Sequence, residues 1–192
     1  MKLLLRRAKS YLAEENYEAS KADLDKILIL EKNNGEADGL MKTVQSKLDG
    51  VTFSKYREEA NELLKKREFQ AALECYEKAL KVTRKATTLD NIAVYVNKIA
   101  CLLSLDKLER VVSECNEAIR LIRNYKNRFT NIKGEDAERL KQMDLRVAVR
   151  RANALGKLQR STEAVAEYER ALKIDPNNAA IKKDLDLMRK QK

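Results

Sequence analysis

Histidine is absent from this chain, which removes Ser–His–Asp and Cys–His catalysis and the commonest protein ligand for transition metals. The five glycines form no phosphate-binding loop. With one proline and so few glycines there is little to punctuate strands or tight turns. Alanine, leucine, lysine, glutamate and arginine abound instead, so the composition predicts an all-α chain without a sheet. Cys75, Cys101 and Cys115 are an odd set with no Cys-x-x-Cys pair, each among apolar neighbours. They read as free core thiols of a reducing compartment. The amino terminus lacks the apolar segment of a signal peptide, and no apolar run is long enough to span a bilayer. These absences predict a cytoplasmic, non-enzymatic protein with no cofactor, no metal and no membrane contact.

What is present is charge on an apolar frame. The 192 residues are 44% hydrophobic and 36% charged, enough for one or two small folded domains. Forty Lys and Arg against thirty Asp and Glu give a formal charge of +10. Acidic partners are favoured, although charge alone does not distinguish an acidic peptide from RNA or an anionic surface.

Three segments repeat one helix-hairpin pattern: Asn61 to Leu64 through Ala72, Tyr76 and Ala79; Ala100 to Leu102 through Val111, Cys115 and Ala118; Asn153 to Leu155 through Ala164, Tyr168 and Ala171. Small residues let two helices approach, and a large one a turn away fills the space beside them. The pattern predicts hairpins over residues 52–83, 91–123 and 146–174. Another over 2–31 carries Ala8 and Tyr11 on its first helix and Ser20, Leu24 and Ile27 on its second. Asn33-Asn34-Gly35 closes that hairpin, and residues 36–48 form a single capping helix ending at Asp49-Gly50. Asp175-Pro176-Asn177-Asn178 stops the last hairpin, after which Ile181, Leu185 and Met188 mark a second cap over 179–190. An insertion over 121–146 reads as two lengthened helices around a break at 130–134. The expected organisation is a hairpin plus cap over 1–49 and a three-repeat domain over 52–192. Residues 1–49 either end a preceding array or begin one four-repeat domain.

Polar residues recur on the first helix of the later hairpins, on the face where a concave surface would lie. They are Arg57 with Asn61, Asn97, and Arg146 with Arg150. Each arginine pairs with a residue four positions on, so both side chains share a helix face. Asn97 interrupts the apolar runs 92–96 and 99–101, a poor choice for a helix interior unless its amide bonds something. A terminal carboxylate needs several donors converging from different helices, each charge-assisted bond contributing roughly 1.5–3 kcal/mol. Singly these residues are ordinary solvated surface; five in register point to peptide capture.

At these residues the chain resembles the tetratricopeptide repeat family, and within it the carboxylate-clamp domains of co-chaperones that bind the Glu-Glu-Val-Asp tail of heat-shock proteins 70 and 90. That family carries Lys and Asn on the first helix of the first clamp repeat, Asn on that of the second, and Lys and Arg on that of the third. The resemblance implies a helical-hairpin solenoid with capping helices, with Arg57, Asn61, Asn97, Arg146 and Arg150 as the clamp. It also implies a co-chaperone or assembly adaptor as the function. Arg57 and Arg146 stand where the family usually has Lys, which keeps the charge and changes the reach. Lys2 and Arg6 occupy the places of Arg146 and Arg150 in the first hairpin, as a second clamp remnant would. Two alternatives stay open: a scaffold for an internal peptide or helix, and an RNA surface on the basic stretch 120–133 with Tyr125 and Phe129. The favoured reading of that stretch is a helix extension whose aromatics pack against the neighbouring hairpin, because no RNA-binding signature accompanies it.

Overall fold

The structure, a computed structural model, describes residues 1–83 and 86–190. Among these residues there are nine helices and no strand, as the composition predicts. In chain order they are α1 (Lys2–Ala13), α2 (Tyr17–Leu30), α3 (Gly35–Lys65), α4 (Phe69–Val82), α5 (Leu89–Ser104), α6 (Leu108–Arg128), α7 (Gly134–Lys157), α8 (Ser161–Ile174) and α9 (Ala179–Lys190). The chain divides into two compact units, Met1–Lys55 and Tyr56–Lys192, and the division falls inside α3.

Four turns, α1–α2, α3–α4, α5–α6 and α7–α8, have one geometry. Glu15, Arg67, Asp106 and Gln159 adopt left-handed backbone, with φ of 58°, 63°, 53° and 58°. Each donates its N–H to the carbonyl three residues back, and the next residue donates to the carbonyl five back, as in Asp106→Leu103 and Lys107→Leu102. This is a Schellman ending, which satisfies the orphan carbonyls of the first helix. A side chain in left-handed backbone costs roughly 1–2 kcal/mol, so packing of the hairpin must hold the turn.

The packing follows the small–large–small pattern. In the second unit Ala72, Tyr76 and Ala79 are wholly buried, as are Ala164 and Ala171. Tyr168 and Ala171 pack with Ala148 and Ala152 of α7 and with Ile181 and Leu185 of α9. In the first unit Ala8, Leu24, Ile27, Ala37 and Val44 form the core, and the Ser20 hydroxyl donates to the Ala8 carbonyl at 2.8 Å. Each large side chain buried this way contributes roughly 1.5–3 kcal/mol.

Three hairpins also carry an ion pair at one register, eight residues before and eight after the left-handed turn residue: Arg7–Asp23, Lys98–Glu114 and Arg151–Glu167. The α3–α4 hairpin has Glu59 and Cys75 there instead. Arg7 holds the Asp23 carboxyl below the usual carboxylate range, chiefly through their hydrogen bond.

Two expectations are corrected. No cap helix stops at Asp49-Gly50, because α3 runs unbroken from Gly35 to Lys65. Gln45 donates to Asp49 at 2.8 Å along the helix, and a glycine in a helix interior costs only about 1 kcal/mol, too little to end it alone. Asn34 also belongs to the following helix more than to the preceding one, since its side chain accepts from the Ala37 N–H at the start of α3. The insertion does form two lengthened helices, α6 and α7, separated at 129–133.

Candidate functional site

Arg57 and Asn61 sit on the last turns of α3, and Asn97 sits midway along α5. The Tyr76 hydroxyl, on α4, donates to Asn61 Oδ1 at 2.6 Å, and Asn97 Nδ2 donates to the same oxygen at 3.1 Å. Burial pushes the Tyr76 phenol up to about 12, against an opposing hydrogen bond with Asn97, so it stays a donor at neutral pH. Asn61 thus spends its carbonyl on the fold. The suspicion that Asn97 bonds something is met inside the chain.

Arg57, Asn61 and Asn97 line one cavity of about 480 Å³, together with Glu58, Asp90, Ala93, Val94 and Arg139. Asp90 Oδ1 lies 3.0 Å from Arg57 Nη1 and 2.9 Å from Arg139 Nη2. Arg150 lies one residue from this group, its Nη1 donating to the Val96 carbonyl at 2.5 Å. Burial, with the charge of Arg146 behind it, lowers the Arg150 pKa from its ordinary value. Arg146 is exposed one turn earlier on α7. Arg146 and Arg150 therefore do not present themselves alike, one free in solvent and the other partly committed to backbone. Lys2 and Arg6 are exposed on α1 of the first unit.

Sequence reasoning missed Asp90 and Arg139. Arg139 belongs to the part of α7 that precedes the repeat, and its partner is 49 residues away, beyond the reach of any local pattern. The insertion itself was the available signal. Its aromatics correct another expectation: Tyr125 and Phe129 stack on one another, centroids 4.6 Å apart, and Phe129 remains exposed instead of packing into the next hairpin.

The arrangement offers cations and amides on three helices beside a half-exposed anion, Asp90. Tetratricopeptide repeat models match residues 59–86 and 146–178. Human RNA polymerase II-associated protein 3 is 28% identical over 179 residues, 90% of this chain and 23% of that protein. Rat dynein axonemal assembly factor 4 is 28% identical over 133 residues, 69% of this chain and 28% of that one. The chain thus spans only about a quarter of the length of these relatives. Among solved structures, the first tetratricopeptide domain of Spaghetti (RPAP3) bound to the HSP90 peptide SRMEEVD matches with a TM-score of 0.56 at 23% identity, covering 73% of this chain and 92% of that one. At that identity the likeness is one of fold. The hairpins over 59–86 and 146–178 thus match tetratricopeptide repeats, within an all-helical chain. Among the described residues no helix is long and apolar enough to cross a membrane.

Proposed function

We propose that this tetratricopeptide-repeat chain grips the acidic Glu-Glu-Val-Asp terminus of heat-shock protein 90 or 70 in a carboxylate clamp made by Arg57, Asn61, Asn97, Arg146 and Arg150. It acts in the cytoplasm as a co-chaperone or assembly adaptor, by recognition without turnover. The observation that carries this reading is the convergence of Arg57, Asn61 and Asn97 on one cavity, with Arg150 bonded to the residue beside Asn97. The Spaghetti domain, similar in fold, is one bound to such a peptide. The first unit, with Lys2 and Arg6, is a separate hairpin module that would add a second contact.

A few charge-assisted bonds to a short peptide give about −8 kcal/mol, a micromolar dissociation constant, once ordering costs are subtracted. Calorimetric titration with Met-Glu-Glu-Val-Asp tests this, using the free acid and the amide on the native chain and on Arg146→Ala, whose exposed side chain leaves folding intact. Binding by the free acid, weakened at least about tenfold by amidation and by Arg146→Ala, is the expected result. No binding by the native chain overturns the reading. The internal partners of Arg57 and Arg150, Asp90 and the Val96 carbonyl, favour a second reading in which the groove holds an internal segment of a partner. Indifference to amidation would select it.

A further inference from the structure

On the clamp reading above, we propose that Asp90 is a resident carboxylate occupying the anion subsite of the cavity, bridging Arg57 and Arg139 until an acidic ligand displaces it. Arg139 is then a further ligand-binding cation, supplied by the lengthened α7.

One oxygen, Asp90 Oδ1, faces both guanidinium groups, at 3.0 and 2.9 Å. A ligand carboxylate seated between the same two groups would make the same contacts. The fold does not require Asp90 there. Thr88 caps α5, its hydroxyl accepting from the Asn91 N–H at 3.1 Å, and Asn91 ties the preceding loop through Thr83 and Ala86. Nor does α7 need Arg139 to stay in place, since Leu140 and Met143 are buried and Asp144 is held by Lys126 and Arg170. The Asp90 and Arg139 side chains are 47% and 43% exposed, so their pairing adds little to stability and is free to exchange.

The charges of the lining point the same way. Arg57 and Arg139 are matched one for one by Glu58 and Asp90, so the cavity as it stands offers an incoming anion little net attraction. Swinging Asp90 away takes one carboxylate from two guanidinium groups at once. A peptide with a terminal carboxylate and acidic side chains brings more than one anion to compete, whereas a peptide with a terminal carboxylate alone brings one. Asp90 thereby competes with any incoming anion for the subsite, and a multiply acidic terminus has more groups with which to displace it.

The test is peptide titration of the full chain with Met-Glu-Glu-Val-Asp and with Met-Gln-Gln-Val-Asn, comparing native, Asp90→Asn and Arg139→Gln. Asp90→Asn should bind the acidic peptide about three- to tenfold tighter and keep or widen its advantage over the neutral-side-chain peptide. Arg139→Gln, an exposed change that leaves the core untouched, should weaken the acidic peptide by a similar factor. Native binding that Asp90→Asn leaves unchanged or weakens, or that Arg139→Gln leaves unchanged, overturns the resident-carboxylate role while the clamp stands. A native chain that does not bind the acidic peptide overturns the clamp and, with it, the role that rests on it.

Discussion

Asn61 and Asn153 hold the same place in their hairpins, six residues before the left-handed turn residue, and each accepts the hydroxyl of a buried tyrosine fifteen residues on. Their surroundings diverge. One turn before Asn61 stands Arg57, whereas one turn before Asn153 stands Val149. Asn61 also accepts from Asn97 and lines the cavity with Asp90 and Arg139. Asn153 lines a different cavity, with Leu103, Met188 and Lys157, and that lysine is already paired to Asp106 at 3.0 Å. The tyrosine–asparagine tie is therefore a structural device used twice, and it is the residues one turn away, Arg57 and Val149, that set the two sites apart.

The hairpins around these two asparagines differ in a second tie, and removing it should have the largest effect. In α7–α8, Glu167 accepts from Arg151 and Arg170 in a mostly buried site, where Arg151 Nε and Arg170 Nη2 have no partner of their own. Glu167→Ala would strand the Arg151 guanidinium and leave Arg170 with Asp144 alone, and should cost roughly 3–5 kcal/mol in urea unfolding. At the same register α3–α4 has Cys75, whose thiol is raised chiefly by burial, and Cys75→Ala should cost about 1 kcal/mol. Equal losses would mean that the ion pair does no more for its hairpin than a packed thiol.

These ties also show how far the sequence could be read. Hairpin packing was legible because Ala72, Tyr76 and Ala79 repeat as Ala164, Tyr168 and Ala171, a spacing fixed by helix geometry. The ion pairs were legible too: a cation and an acid sixteen residues apart recur in three hairpins. The turns were not, since Glu15, Arg67, Asp106 and Gln159 fill positions where glycine would be the signal. Asp49-Gly50 misled in the opposite sense, offering a stop that the surrounding helix formers override. Of the candidate site, register on one helix was visible and pairing across the insertion, Asp90 with Arg139, was not.

The asparagines themselves give the next smaller effect and separate fold from binding. Asn61→Ala and Asn153→Ala each remove the oxygen to which a buried tyrosine hydroxyl donates, and each should cost about 1–3 kcal/mol of stability. Only Asn61→Ala should weaken the acidic peptide, by about tenfold or more, since it also deletes an amide that lines the cavity. Thermal unfolding and peptide titration of the two variants check this side by side. A matching loss of affinity in Asn153→Ala would place the peptide elsewhere and dissolve the distinction.

The tyrosines give the smallest effect and the finest resolution. Tyr76→Phe and Tyr168→Phe each delete one hydrogen bond while keeping the ring, at about 1 kcal/mol each near neutral pH. Burial raises both phenols from 10 to about 12. A folded pKa above the unfolded one means that the stabilisation is complete below about pH 10 and lost as pH rises from there to about 12. The native chain should therefore fall towards each phenylalanine variant over that range, as urea midpoints at pH 8, 10 and 11 would register. Tyr95, also raised to about 12 by burial, keeps some alkaline sensitivity in the double variant. The two variants should part company only on ligand: Tyr76→Phe leaves the Asn61 carbonyl held by Asn97 alone and so loosens its amide, whereas Tyr168→Phe leaves the Arg57–Asn61–Asn97 cavity untouched. A Tyr168→Phe variant that binds as poorly as Tyr76→Phe would show the affinity loss to be a general softening of the hairpins and not a property of the Arg57–Asn61–Asn97 cavity.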